Sequence, residues 1–323
     1  MKLRRVRGID GLYLELQAAG GWVAVAKCLE QIENSSTART AALATDMLAL
    51  LAAPQELCDR IAKVADGIAA GPADRDVVIP FEPRSFRDFM LYEAHAIAAA
   101  RGFVNAFMPA AAPVVRTYER VTRRTFPKLR PHALWYRQPI YYMGNHLNIA
   151  ADGADIAVPR YTRALDYELE LGVVLAHPLR DATPQEAEAA IGGFVVLNDF
   201  SARDVQAEEM ASGFGPQKAK HFASAISSVV VTADEILPRW NELSASVRLN
   251  GALISETSTA GARWSLGEIL AHASRGEQLH PGELIGSGTL PGGSGIETGH
   301  LLKSGDTIEI AIDGIGSLSN RIV

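Results

Sequence analysis

Polar and apolar positions fall into two regimes that change near residue 80. Residues 1–16 alternate around a turn at Asp10-Gly11, which predicts a β-hairpin. Residues 36–70, "STARTAALATDMLALLAAPQELCDRIAKVADGIAA", repeat apolar groups at helical spacing, and Pro54 divides them into two helices. The stretch "GPADRDVVIPFEP" (71–83) collects Gly71, Pro72, Pro80 and Pro83 and marks the best boundary. Residues 85–107 predict a helix capped by Ser85, with Asp88 and His95 on one face. From 138 onward the chain reads as short strands: "QPIYYMG", "DIAVP", "YELELGVVL", "IGGFVVLND", "SSVVVTA", "ASVRLNG", "LIGSGTL", "TIEIAI" and "SLSNRIV". Only a helix at 184–190 and a helical patch at 265–275 interrupt them. The fold class is therefore α+β, mainly β, a sandwich or roll rather than a doubly wound sheet. A small N-terminal α/β domain is expected over 1–78, and a β-rich domain over 79–323.

Composition narrows the function. A net charge of −6 over 323 residues argues against nucleic acid as the main partner. Cys28 and Cys58 have neither disulfide nor zinc spacing, which fits a reduced, cytoplasmic setting. "MKLRRV" is followed by "RGIDGLYLELQ" rather than an apolar core, so no signal peptide is expected. No apolar run approaches the ~18–20 residues that span a bilayer. Between 108 and 134 lie Arg116, Arg120, Arg123, Arg124, Lys128 and Arg130, with Glu119 the only acid. That run reads as a solvated face or as a mobile cover that draws in an anionic substrate.

Chemistry begins at 165–171, "LDYELEL". On a strand, Asp166, Glu168 and Glu170 share a face. Like charges side by side repel, so that face is either solvated or met by something positive. Asp199 ends the next apolar strand, followed by Arg203, Asp204 and Gln206. "FGPQKAKHF" adds Lys218 and Lys220. The loop "GSGTLPGGSGIE" bears Thr289 and Glu297 but lacks the lysine of a phosphate-binding loop. "RPHALWYRQPIYYMGNH" suggests a pocket of aromatic and Arg character.

Taken in order, "LDYELELGVVL", "GGFVVLNDFSARDVQ", the Lys220 segment, "PGELIGSGTLPGGSGIE" and "LKSGDTIEIAIDGIGSLSN" resemble the fumarylacetoacetate hydrolase family over about 85–323. One departure is Glu283, where the family usually shows Asp; the position reads as a turn residue. The resemblance implies the family's mixed β-sandwich roll. It also implies a divalent metal held by Glu168, Glu170 and Asp199, with Asp88 seven residues before a catalytic His95. Four carboxylates without Cys or His make a hard oxygen site suited to Mg²⁺ or Ca²⁺, or to Mn²⁺, rather than Zn²⁺. Asp166 is left to a bracing role. The family's hydrolases cut a carbon–carbon bond beside a 1,3-dicarbonyl. The matching positions give His95 as base, Glu297 as its orienting acid and Lys220 as oxyanion or leaving-carbon donor. Arg203, Gln206, Tyr142 and Thr289 match substrate-binding positions. A small anionic diketo acid and a homodimer are the implied partners. Two other readings stay open: a decarboxylase or tautomerase of 2-oxo acids such as oxaloacetate, and a non-catalytic relative.

Overall fold

The computed structural model describes residues 1–33, 38–72 and 74–323. One long mixed sheet carries the molecule. Its main path runs Gly21–Ala24, Gly11–Ala18, Lys2–Gly8, Val229–Thr232, Ile191–Asn198, Leu169–Leu175, Glu283–Gly286, Ser85–Phe89 and Tyr141–Gly144. A second sheet orders Ala252–Ser258, Ser244–Leu249, Thr307–Ile312, Gly316–Ile322 and Asp155–Ile156.

Both faces of the long sheet are covered. Leu171 and Val173 pack toward Ile308, Ile310 and Leu318 of the second sheet and toward helix Leu266–Ala273. Val174, Val195, Leu197 and Leu284 face the other way and join Leu50 and Ile61 of the N-terminal helices. A strand covered on both faces reads as a continuous apolar run. That is why "GVVL" lacks alternation, and why Leu169–Leu175 is buried at every position. This α+β architecture, rich in strands, is the one expected.

The first hairpin forms, but Gly8 lies opposite Gly11, so its turn is Ile9-Asp10 rather than Asp10-Gly11. It also pairs with Val229–Thr232, Leu3 lying opposite Val230. We propose that the chain divides near residue 78 into two units that share this sheet. The expected helices of 36–70 appear as Ala38–Thr45, Met47–Leu51 and Gln55–Ala65; their expected start at Ser36 and Thr37 lies outside the described residues. The additional break falls at Asp46, whose side chain caps Met47–Leu51 by accepting from the Leu48 amide at 2.9 Å.

The expected helix over 85–107 is corrected. Ser85–Phe89 is a strand, and the helix is Glu93–Phe107. The strand sits between Glu283–Gly286, which it joins in parallel, and Tyr141–Gly144, which it joins antiparallel. Phe86 and Phe89 are buried by these distant partners, and long-range pairing overrides local helical spacing. Asp88 and His95 therefore reach the site from different elements and do not share a helical face. Helices Arg203–Ala211, Ala233–Ile236 and Gly295–Thr298 also interrupt the strand region, beyond the two expected.

Candidate active site

The acids of "LDYELEL" are not solvated. Asp166, Glu168 and Glu170 are buried, and so are Leu165, Tyr167, Leu169 and Leu171 on the alternate positions. What meets the acids differs at each position.

Asp166 closes the short strand Leu165–Asp166. It accepts from the Gly295 amide at 2.7 Å, the Ile296 amide at 2.9 Å and Arg203 Nε at 2.7 Å. It thereby ties the N-terminus of Gly295–Thr298 to the acidic segment. Glu168 lies against Arg203 at 2.7 Å and against Lys220. Burial alone would raise its carboxyl, but Lys220 and then Arg203 outweigh burial and pull it down to about 2. The Glu168 backbone is held by Asn198 Oδ1, which accepts its amide hydrogen at 2.9 Å.

Glu170 and Asp88 have no such cation. Burial, then the Asp88 charge, raises Glu170 well above the usual carboxylate range. Burial, then Asp199, does the same to Asp88. Glu170 Oε2 accepts the Gly288 amide at 3.2 Å, while Glu170 Oε1 and Asp88 Oδ1 are buried with no hydrogen-bond partner. Gly286 makes their approach possible: a Cβ there would stand 2.5 Å from Asp88 Oδ1 and 2.7 Å from Glu170 Oε2. Asp199 follows Ile191–Asn198 and accepts from Ser224 Oγ at 2.8 Å and Tyr142 Oη at 2.5 Å. Lys220 Nζ lies 2.6 Å from it. Burial and then Asp199 lift the Tyr142 hydroxyl well above its ordinary range, so Tyr142 stays a donor.

Asp88, Glu168, Glu170 and Asp199 can each offer one oxygen within 4.8 Å of the others. With Asp166 they make five buried carboxylates against two buried cations, Lys220 and Arg203. The surplus negative charge and the two orphaned oxygens fit a divalent cation bound by oxygen ligands.

His95 sits in the first turn of Glu93–Phe107 and is buried. Its Nδ1 lies 2.9 Å from Glu297 Oε2. Glu297 also accepts from the Gly292 amide at 3.0 Å and from Ser294 Oγ at 2.8 Å. A carboxylate fed by donors on this scale assigns the proton to Nδ1 and leaves Nε2 basic. His95 is also close enough to act electrostatically on Glu168. Burial opposes the charge on Lys220, yet Asp199 and Glu168 raise its pKa, so it stays an ammonium. Arg203 donates to Gln206 Oε1 at 2.9 Å, which fixes Gln206 beside the cluster. Thr289 is buried one residue after the Gly288 amide that meets Glu170.

The structure thus gathers the expected acids, cations and His–Glu pair from separate elements. It corrects other readings. Glu283 is no turn residue: it opens the strand Glu283–Gly286 and accepts from Ser85 Oγ at 2.7 Å and Arg87 Nε at 3.0 Å. Trp135 does not line an open pocket; it is buried, its indole donating to the Met90 carbonyl at 2.5 Å. Ser224, which braces Asp199, carried no local signal that would single it out; Asn198, which braces Glu168, lies inside "GGFVVLNDFSARDVQ" but was given no role of its own. Arg116, Arg120, Arg123, Arg124, Lys128 and Arg130 are exposed.

Residues 114–323 match the family model described as fumarylacetoacetate (FAA) hydrolase C-terminal. The chain is an enzyme of the fumarylacetoacetate hydrolase family. It is similar to human mitochondrial oxaloacetate tautomerase, with 31% identity over 185 residues, 57% of this chain and 81% of that protein. It is also similar to the Escherichia coli homoprotocatechuate catabolism bifunctional isomerase/decarboxylase, with 25% identity over 242 residues, 69% of this chain and 54% of that one. The fold matches fumarylacetoacetate hydrolase from Exiguobacterium antarcticum with a TM-score of 0.67 at 22% identity, over 100% of this chain and 99% of that one. It also matches fumarylpyruvate hydrolase from Pseudomonas aeruginosa, solved with Mn²⁺ and pyruvate, with a TM-score of 0.56 at 22% identity, over 78% and 93% of the two chains.

Among the described residues, no helix is long and apolar enough to cross a membrane.

Proposed function

We propose that the protein is a divalent-metal-dependent hydrolase that cleaves a carbon–carbon bond in a 1,3-diketo acid of the fumarylacetoacetate or acylpyruvate type. The observation that carries this reading is the 2.9 Å contact between His95 and Glu297 beside the four-carboxylate cluster. A base held in one tautomer suits the activation of water for breaking a carbon–carbon bond.

Asp88, Glu168, Glu170 and Asp199 would hold Mg²⁺, Ca²⁺ or Mn²⁺. Such an ion supplies Lewis acidity toward the oxygens of a 1,3-dicarbonyl. His95 Nε2 takes a proton from water as the water oxygen adds to the distal carbonyl carbon. Glu297 holds Nδ1–H and balances the imidazolium. Lys220, with Arg203 and Gln206 behind it, donates to the oxyanion of the adduct. When the carbon–carbon bond breaks, its electron pair stays on the leaving carbon, which Lys220 or the imidazolium protonates. Tyr142 and Thr289 bind carboxylate or carbonyl oxygens of the substrate.

The test is to mix the protein with an acylpyruvate and Mg²⁺ and follow the diketone chromophore. Metal-dependent loss, with pyruvate and a carboxylic acid as products, is expected. A second reading has its own support in the 31% identity to an oxaloacetate tautomerase. That reading requires turnover of oxaloacetate with acylpyruvates left intact.

We further infer a cytoplasmic homodimer acting in the breakdown of aromatic compounds. Buried free thiols at Cys28 and Cys58 support a reducing compartment, and exposed Leu147 and Phe214 offer apolar surface for a second copy. Sedimentation at the 34.6 kDa mass of one chain would exclude the dimer.

A further inference from the structure

Two features outside the catalytic set grip the short helix that carries Glu297. Asp166 holds it from one side through the Gly295 and Ile296 amides. Asp166 cannot shift easily, because it is buried and tied at the same time to Arg203 and to the Tyr167 amide. From the other side, Glu93–Phe107 closes on the same turn at Gly102. A Cβ on Gly102 would fall on the Ile296 carbonyl oxygen, closer than real Cβ atoms come. The backbone at Gly295 is closely packed as well: a Cβ there would stand 2.4 Å from Asp166 Oδ1 and from the His300 carbonyl oxygen. Gly102 is seven residues after His95, two turns along the same helical face. How far the helix closes at 102 therefore sets how near His95 comes to Glu297.

We propose that Gly102 and Asp166 are positioning residues that together set the His95–Glu297 contact. Asp166 fixes the turn bearing Glu297, and the bare backbone at Gly102 lets the helix bearing His95 settle against it. Any side chain at 102 meets a turn that cannot retreat, so the displacement falls on the helix. A shift on the order of 1 Å is enough to lose catalytic alignment. The kinetic consequence rests on the hydrolase reading above; the geometric one does not.

The test uses Gly102→Ala and Asp166→Asn in the full chain, with two readouts. The first needs no substrate: the His95 Nδ1–H resonance in ¹⁵N-histidine-labelled protein, assigned by its loss in His95→Ala. Both variants should move it upfield toward the position it takes in Glu297→Gln. The second is kinetic. Each variant should lower kcat by about 10–100-fold at saturating Mg²⁺; in Gly102→Ala, which removes no charge from the site, Mg²⁺ affinity by calorimetry should stay within about twofold of wild type. Added to Glu297→Gln, either change should cost less than about threefold more, because the contact is already lost. Asp166→Asn adds no bulk and carries the test if Gly102→Ala does not fold. A wild-type resonance in the folded variants overturns the proposal, and so does full additivity with Glu297→Gln. A shifted resonance with unchanged kcat upholds the positioning and sinks the catalytic role of the pair instead.

Discussion

Replacing Glu170 by Gln should make the metal-free protein more heat-stable while removing the stabilisation that a metal brings. Glu170 is buried beside Asp88, and its Oε1 has no partner. Gln keeps the shape and the acceptor toward the Gly288 amide, and its NH₂ can donate to Asp88. Two ionised carboxylates 4.8 Å apart, the outer limit within this cluster, repel by ~3.5 kcal/mol at an effective dielectric of ~20. Protonation relieves part of that, so the net gain should be on the order of 1–3 kcal/mol. Unfolding entropy near ~2.1 cal/mol/K per residue makes 1 kcal/mol worth ~1.5 °C in a chain of 323 residues. The metal-free Tm should therefore rise by roughly 2–4 °C. In the wild type, Mg²⁺ at a hundred times its Kd should add ~2.7 kcal/mol, or about 4 °C. That increment should vanish in the variant. Melting both proteins in EDTA and in Mg²⁺ at pH 7.5 measures all four values. A variant that melts several degrees lower in EDTA, or that keeps the full Mg²⁺ increment, would show that Glu170 neither strains the metal-free cluster nor holds the ion.

Further outcomes follow from the same geometry. His95→Ala should lower kcat by about 10²–10⁴ with metal affinity unchanged, and Glu297→Gln should lower it less; steady-state kinetics and calorimetry on both separate catalysis from binding. Gly286→Ala should weaken metal binding by at least about tenfold, because its Cβ would stand 2.5 Å from Asp88 Oδ1; wild-type affinity by calorimetry contradicts this. Lys220 and Arg203 hold Glu168 at about 2, below the ordinary glutamate carboxyl, so it contributes stability at higher pH that is lost as pH falls toward 2. Acid titration of the metal-free protein should therefore lose less stability across that window in Glu168→Gln than in wild type, and parallel curves would count against the assignment.

Much of the site was legible because it lies where strand alternation and turn residues are strong. The acids of "LDYELEL" do lie close together, but not on the single strand expected: Asp166 ends the short strand Leu165–Asp166, and Glu170 belongs to Leu169–Leu175 in the long sheet. What stayed hidden depended on distant contacts. Ser85–Phe89 runs into a true helix, so its apolar spacing looks helical; only pairing with Glu283–Gly286 and Tyr141–Gly144 makes it a strand. Glu283 looked like a turn residue for the same reason, since Arg87 is its neighbour only across that pairing. Asp166 was left to bracing, and what it braces became visible only when Gly295 and Ile296 came to lie on it. Nothing in the sequence sets Gly102 apart; the Ile296 carbonyl that a Cβ there would meet comes from a distant segment.

Water drawn on by His95 should end in the acyl product of a broken carbon–carbon bond. Turnover of an acylpyruvate in H₂¹⁸O with Mg²⁺, with mass analysis of both products, tests it most directly. One ¹⁸O should enter the carboxylic acid released from the acyl side, with an equal amount of pyruvate, and His95→Ala should suppress both. An intact acylpyruvate carrying no label in any carboxylate, beside rapid keto–enol exchange of oxaloacetate, would contradict the account and assign the site to proton transfer alone.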